Sequence, residues 1–169
     1  VNPSPARTAR IARGFDRLAP FYDALAEVAF AGRLHASQVA LLGSLPPVRR
    51  ALVMGGGTGR FLAAFLAHDS LATAVSIDLS PGMTRRTEKR LAGAGVSSRA
   101  ELRVGSLDRL HAGERFDLVV THCFLDLFVE PTLGAVIDRL DRSLEPGGHW
   151  LFSDFQSVGM GGPAFIRRS

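Results

Sequence analysis

The 169-residue chain has one cysteine, Cys123, so no disulfide can form within it, which is compatible with a reducing, cytoplasmic setting. It has no run of about 18 apolar residues, and no membrane-spanning helix is expected. No apolar core of signal-peptide length follows the opening "VNPSPARTAR". Lysine is nearly missing, since Lys89 is the only one and arginine carries the rest of the positive charge. A formal charge of +4 tolerates an acidic ligand, but a nucleic-acid partner needs a basic face as well, and there is no strong signal of one. The basic stretch "RRTEKR", Arg85 to Arg90, reads as the solvated side of a helix. No Cys, His or carboxylate cluster stands at metal-ligand spacing, so no metal is expected.

What is present is apolar and alternating. Hydrophobic residues make up 46% and charged ones 21%, a globular balance in a chain of single-domain length. Residues 1–7 read as a flexible tail and 8–155 as one domain. Ile11, Phe15 and Leu18 stand at helical spacing before Pro20. Phe21, Tyr22, Leu25, Val28 and Ala29 then continue a helical pattern through Leu34 to Leu42. Beyond Pro46 and Pro47 come strands expected at Ala51–Met54, Ala74–Ile77, Glu101–Val104, Asp117–Val120 and His149–Phe152. Helices are expected at Gly59–Ala67, Pro81–Leu91 and Pro131–Leu144, with Ser80 as a cap and Pro146-Gly147-Gly148 as a stop. Strand and helix alternating through short links predict a doubly wound α/β fold with a parallel sheet. "LVM" and "LVV" are continuous apolar runs, as in strands covered on both faces, whereas "ELRV" alternates like an edge. The expected order is therefore 3-2-1-4-5.

In such a sheet a ligand lies beyond the carboxyl ends of the strands, where the order reverses. That is the turn after the first strand, "GGGTG". Gly55 permits the turn, Gly57 clears space for a ligand on the backbone, and Gly59 lets the next helix approach closely. The spacing G-x-G-x-G departs from the dinucleotide fingerprint at Arg60, and no lysine completes a phosphate loop. Asp78, nineteen residues after Gly59, ends the second strand, where a carboxylate can accept from both hydroxyls of a ribose; its alternative is to cap the helix at Pro81.

Taken together, "ALVMGGGTG", "AVSIDLSPGM", "LRVGSLDRL", "FDLVVTHCFLDLF" and "LEPGGHWLFSDF" resemble the class I S-adenosylmethionine-dependent methyltransferases in order and spacing, over about Phe15 to Phe155. "FDRLAPFYDALA" resembles the first helix of the small-molecule, quinone-biosynthesis type, which covers the cofactor. The resemblance implies S-adenosylmethionine as cofactor and a small, apolar or amphipathic methyl acceptor. It places Gly55, Gly56, Gly57, Gly59, Asp78, Leu79, Met83, Ser106, Leu107 and Thr121 around the cofactor. Two positions depart from the family pattern. Val53 stands where an acidic residue is usual, so the cofactor's amino group must be anchored elsewhere. Ser106 stands where an Asp usually meets the adenine, and Asp108 substitutes only if the turn shifts.

Several residues carry two readings each. His122 is the candidate catalytic base, or else a polar residue held by backbone. Asp126 either orients His122 or caps a turn. Tyr22 closes over the cofactor's methionine end or is an ordinary buried contact. Phe124, Leu127 and Phe128 line an acceptor pocket or belong to the core. Cys123 is expected to be buried and inert. Residues 156–169, "SVGMGGPAFIRRS" with its preceding Gln156, are expected to be irregular and too short of apolar periodicity for the helix and antiparallel strand pair that continue this family. The fold is then shortened or the chain a fragment, and the exposed edge of strand five invites self-association. A binding module without turnover is the alternative function, and a nicotinamide oxidoreductase a more distant one.

Overall fold

The computed structural model describes residues 13–14, 16, 19, 22–23, 33–129 and 132–154, and the backbone of 164–167. The expected flexible tail at 1–7 and the helical positions Ile11, Phe15, Leu18, Phe21, Leu25, Val28 and Ala29 lie outside them, as does Pro131.

Six strands form one sheet: β1 Arg50–Met54, β2 Thr73–Asp78, β3 Ala100–Val104, β4 Phe116–His122, β5 Leu144–Ser153 and β6 Ala164–Arg167. Their order is β3-β2-β1-β4-β5-β6, with β1 to β5 parallel, so the 3-2-1-4-5 reading holds. Among the described residues four α-helices accompany them: α1 Arg33–Val39, α2 Arg60–His68, α3 Pro81–Gly93 and α4 Thr132–Ser143.

The pleat explains why the central strands are apolar throughout. Ala51, Val53, Leu118 and Val120 point to one face, where they meet Leu62, Phe65 and Leu66 of α2 and Leu91 of α3. Leu52, Met54, Val75, Ile77 and Val119 point to the other, against Val136 and Leu140 of α4. Both faces are covered, so alternation disappears from the sequence of β1 and β4. β3 lies at the edge and is only partly buried. Ser80 caps α3 through Met83 N–H at 3.0 Å, with Pro81 at the first helical position.

Two expectations are corrected. Pro146-Gly147-Gly148 does not stop the helix from outside the sheet. It lies within β5, whose register breaks between the Leu144 pairing with Phe116 and the His149 pairing with Leu118. Gly148 is needed there, because a Cβ would stand 2.9 Å from the carbonyls of Asp117 and Glu145. The second correction concerns the carboxyl end. β6 pairs antiparallel with β5 from His149↔Arg167 to Phe152↔Ala164, inside the segment expected to be irregular. The edge of β5 is therefore occupied rather than open. A four-residue strand satisfies it, and "AFIR" is long enough for that although the tail as a whole shows no periodicity.

Candidate functional site

A cavity opens at the carboxyl ends of β1 and β4, where the strand order reverses. Its floor is the loop after β1. Gly55, Gly57 and Gly59 all have positive φ, at 67°, 57° and 76°, a region that L side chains avoid. Beyond that the three differ. A Cβ on Gly55 would stand 3.0 Å from the Phe124 ring, and one on Gly59 would stand 2.7 Å from Thr87 Cγ2 and 3.0 Å from Thr87 Cα. These glycines admit the close approach of neighbours. Gly56 belongs with them, since its Cβ would clash with Ser76 Oγ. A Cβ on Gly57 would meet nothing within 4 Å: it would enter the cavity itself.

The loop is fastened from three sides. Thr87 Oγ1 donates to Gly57 O at 2.9 Å and Arg90 Nε to Thr58 O at 2.9 Å, both from α3. Gly59 N–H donates to Gly56 O at 3.1 Å. Asp78 receives Gly57 N–H on Oδ2 and Ser80 N–H on Oδ1, each at 2.8 Å. Burial raises the Asp78 carboxyl above the usual carboxylate range, and these two N–H groups oppose that shift. Asp78 thus faces the cavity with one hydrogen bond from the described residues on each oxygen.

Two carboxylates from the amino-terminal part of the chain stand nearby, of which only Asp23 lines the cavity, and neither was singled out from the sequence. Asp16 Oδ1 accepts from Ser80 Oγ at 2.6 Å and Gly82 N–H at 2.8 Å, at the start of α3. Asp23 lines the cavity, accepts from Thr58 Oγ1 at 2.6 Å, and pairs with Arg90. Arg90 is therefore not part of a merely solvated basic face. The signal available in the sequence was two aspartates inside the "FDRLAPFYDALA" stretch, but nothing local says what they bind.

Tyr22, Asp78, Leu79, Met83, Ser106 and Leu107 line the cavity together with Gly55, Gly56 and Gly57. Burial first, then the facing thiol and carboxylates, raise the Tyr22 phenol, which stays protonated at neutral pH. Asp108 does not take the place of Ser106. It is exposed and accepts Ser106 Oγ at 2.7 Å and Ser106 N–H at 3.0 Å, so the Ser106 hydroxyl proton is committed to Asp108 and its oxygen can act toward the cavity only as an acceptor. Thr121 and Gly59 lie outside the lining. Thr121 is fully buried and accepts from Trp150 Nε1 at 2.9 Å.

His122 lines the cavity from the end of β4. Its Nδ1 is 2.8 Å from Ser153 Oγ, and its ring meets Phe61 edge-on with centroids 4.7 Å apart. Asp126 does not orient it; Ser153, on the neighbouring strand, does. Nε2 is buried with no hydrogen-bond partner among the described residues. Burial drives the imidazole down to about 4, so it is neutral at pH 7. Cys123 follows with φ 51°, the one described non-glycine residue with positive φ. Burial and the facing carboxylates of Asp154 and Asp126 push its thiol up to about 12, which makes it an unreactive thiol at neutral pH. Burial and the nearby Asp126 raise the Asp154 carboxyl to about 6, and the backbone N–H groups of Phe124 and Leu125 oppose that shift. Phe124, Leu127 and Phe128 form an apolar wall of the same cavity, Phe124 and Phe128 being in edge contact at 5.1 Å.

Among the described residues no group of three or more His, Cys, Asp or Glu is placed to hold a metal, and no helix is long and apolar enough to cross a membrane.

Comparison with known proteins gives a consistent picture. The profile of a family described as methyltransferase domain matches residues 51–148. The chain is similar to a demethylmenaquinone methyltransferase of Clavibacter sepedonicus, 32% identical over 146 residues, covering 85% of this chain and 57% of that protein. It is also similar to a malonyl-[acyl-carrier protein] O-methyltransferase of Methylococcus capsulatus, 31% identical over 143 residues, covering 84% of this chain and 47% of that one. The chain thus spans about half the length of these curated relatives. Among solved structures, an O-methyltransferase family protein from Burkholderia thailandensis superposes with a TM-score of 0.66 at 22% identity, over 86% of this chain and 42% of that one. At that identity the likeness is one of fold.

Proposed function

The chain belongs to the methyltransferase domain family, and on that premise we propose that its cavity binds S-adenosylmethionine and that the domain passes the methyl group to a small, apolar or amphipathic acceptor. One observation carries the cofactor part. Gly57 holds a conformation reserved for glycine, and the space its missing side chain leaves free is cavity, directly beside the Asp78 carboxylate. A loop kept bare toward open space, next to a buried acceptor, is a cradle for a ligand with hydroxyl donors.

S-adenosylmethionine supplies an electrophilic methyl group on a sulfonium. The remaining work belongs to the protein: holding two molecules in line and keeping water out. Asp78 accepts ribose hydroxyls. Ser106 Oγ, with its proton on Asp108, accepts from the adenine amino group, and Met83 and Leu107 are apolar neighbours of the base. Phe61, Phe124, Leu127 and Phe128 favour an acceptor with an apolar body. His122 stands where the polar end of that acceptor would lie. When Nδ1–H donates to Ser153 Oγ, Nε2 presents a lone pair. A base held near 4 takes a proton only once that proton has become strongly acidic, as an acceptor hydroxyl does when its oxygen gains a methyl group.

Calorimetric titration with S-adenosylmethionine, S-adenosylhomocysteine and a nicotinamide dinucleotide tests the first part. Binding of the first two and not the third is expected; the reverse removes the proposal. Turnover against a panel of amphipathic phenols and of fully charged acceptors tests the second. Binding without turnover on any of them would favour a binding module, and preference for the charged ones would refute the apolar acceptor.

A further inference from the structure

β1 contributes no charge to the cavity. Val53, its penultimate residue, is buried at 3% exposure, lines the cavity and packs into the core. The amino-acid tail of S-adenosylmethionine is a zwitterion, and its ammonium brings three donors that need acceptors once they leave water. The carbonyls beside Gly57 each already accept one hydrogen bond from within the protein. Gly56 O is taken by Gly59 N–H, Gly57 O by Thr87 Oγ1 and Thr58 O by Arg90 Nε. Two carboxylates remain among the described lining residues. Asp78 ends β2 and is committed to the ribose hydroxyls in the cofactor reading above. The other is Asp23.

Resting on the cofactor reading above, we infer that Asp23 is the anionic anchor for the ammonium of the cofactor's tail, in place of an acid on β1. Its position is defined. Oδ1 is held by Thr58 Oγ1 at 2.6 Å, immediately after the bare Gly57, and Oδ2 by Arg90. Arg90 also grips the Thr58 carbonyl, so the carboxylate and the loop are fixed by the same guanidinium. A carboxylate has about four acceptor positions, and one bond on each oxygen among the described residues leaves room for the ammonium. The Asp23 side chain is 29% exposed and lines the cavity, so the remaining positions are not sealed within the protein. Arg60, two residues after Thr58, lines the cavity as well and gives this end both signs of charge, as a zwitterion requires. A residue from the amino-terminal segment thereby takes over a task that its position in the chain does not announce.

The test compares three ligands by calorimetry on the wild-type chain and on Asp23→Asn: S-adenosylhomocysteine, its analogue lacking the amino group, and methylthioadenosine, which lacks the whole tail. Asp23→Asn should weaken S-adenosylhomocysteine by at least about tenfold, the scale of one charged hydrogen bond, and leave the other two within about twofold. Equal losses for all three would mean that Asp23 only fastens the loop, and would overturn the inference, as would an unchanged S-adenosylhomocysteine affinity. Failure of the wild-type chain to bind S-adenosylhomocysteine or methylthioadenosine would instead remove the cofactor reading and this inference with it. If melting shows that Asp23→Asn does not fold, Asp23→Glu keeps the charge one methylene further out. The ratio between S-adenosylhomocysteine and the analogue lacking the amino group should then shrink, and an unchanged ratio overturns the assignment.

Discussion

Replacing Gly57 and Gly59 by alanine, one at a time, separates a glycine kept for a ligand from one kept for packing. Both have positive φ, 57° and 76°. An alanine in the left-handed region costs about 1–2 kcal/mol, partly offset by about 0.4–1 kcal/mol from the reduced freedom of the unfolded chain. For Gly57→Ala nothing further is added, because the new methyl meets no protein atom within 4 Å and both backbone bonds, to Asp78 and Thr87, persist. A net loss of about 1 kcal/mol lowers the melting temperature of a chain this size by about 2–4 °C. Gly59→Ala carries the same conformational term plus a methyl 2.7 Å from Thr87 Cγ2 and 3.0 Å from Thr87 Cα. Side chains can turn away, but a backbone atom moves only with α3, so overpacking of about 1–3 kcal/mol follows. The total is about 2–4 kcal/mol, or roughly 4–16 °C. Binding should rank the two variants the other way. The Gly57 methyl enters the cavity and should weaken S-adenosylhomocysteine by at least about tenfold. Gly59→Ala, measured well below its melting temperature, should lose less. Urea or thermal denaturation and calorimetry on the two variants decide. Equal destabilisation, or normal binding by Gly57→Ala, would refute the view that Gly57 is bare on behalf of a ligand.

Asp78→Ala should weaken S-adenosylhomocysteine and methylthioadenosine alike by about 1.5–3 kcal/mol, because both carry the ribose; an unchanged dissociation constant would take Asp78 out of the site. The pH dependence of stability should report His122. Its folded value near 4 lies below the unfolded value near 6.5, so between those limits the unfolded chain binds the extra proton and stability rises with pH. The contribution is complete above about pH 6.5 and is lost on descending toward 4, about 3 kcal/mol in all. Denaturation of wild type and His122→Asn at pH 7 and pH 4.5 should show that difference, and parallel curves would place the imidazole in water. Ser153→Ala should lower turnover by changing how His122 is held, whereas Asp126→Ala should leave the His122 titration, followed by proton NMR, unmoved; the opposite ranking would restore Asp126 as the orienting group.

Much of this protein is local in origin and legible in the chain. The period of two in the strands, the continuous apolar runs of β1 and β4, the alternation in β3 and the Ser80-Pro81 helix start each involve neighbours in sequence. Together they determine the strand order and so the end of the sheet where a cavity opens. The glycines after β1 and Asp78 at the end of β2 are brought together by that order alone, through the parallel pairing of the two strands.

Tertiary structure decided what depends on partners far along the chain or on which face of a strand looks inward. Thr121 and His122 are adjacent, and a strand sends them to opposite faces; only the packed sheet assigns Trp150 to one and the cavity to the other. Gly57 and Gly59 look alike in sequence, and Thr87, from a different helix, makes one of them a packing contact. Ser153 rather than Asp126 meets His122, because β5 lies beside β4 while Asp126 lies in the exposed turn beyond it. Asp16 and Asp23 have no local signature at all. Their bonds to Ser80, Thr58 and Arg90 span 35 to 67 residues, and a contact over such distances is created by the fold, not by the pattern of neighbouring residues.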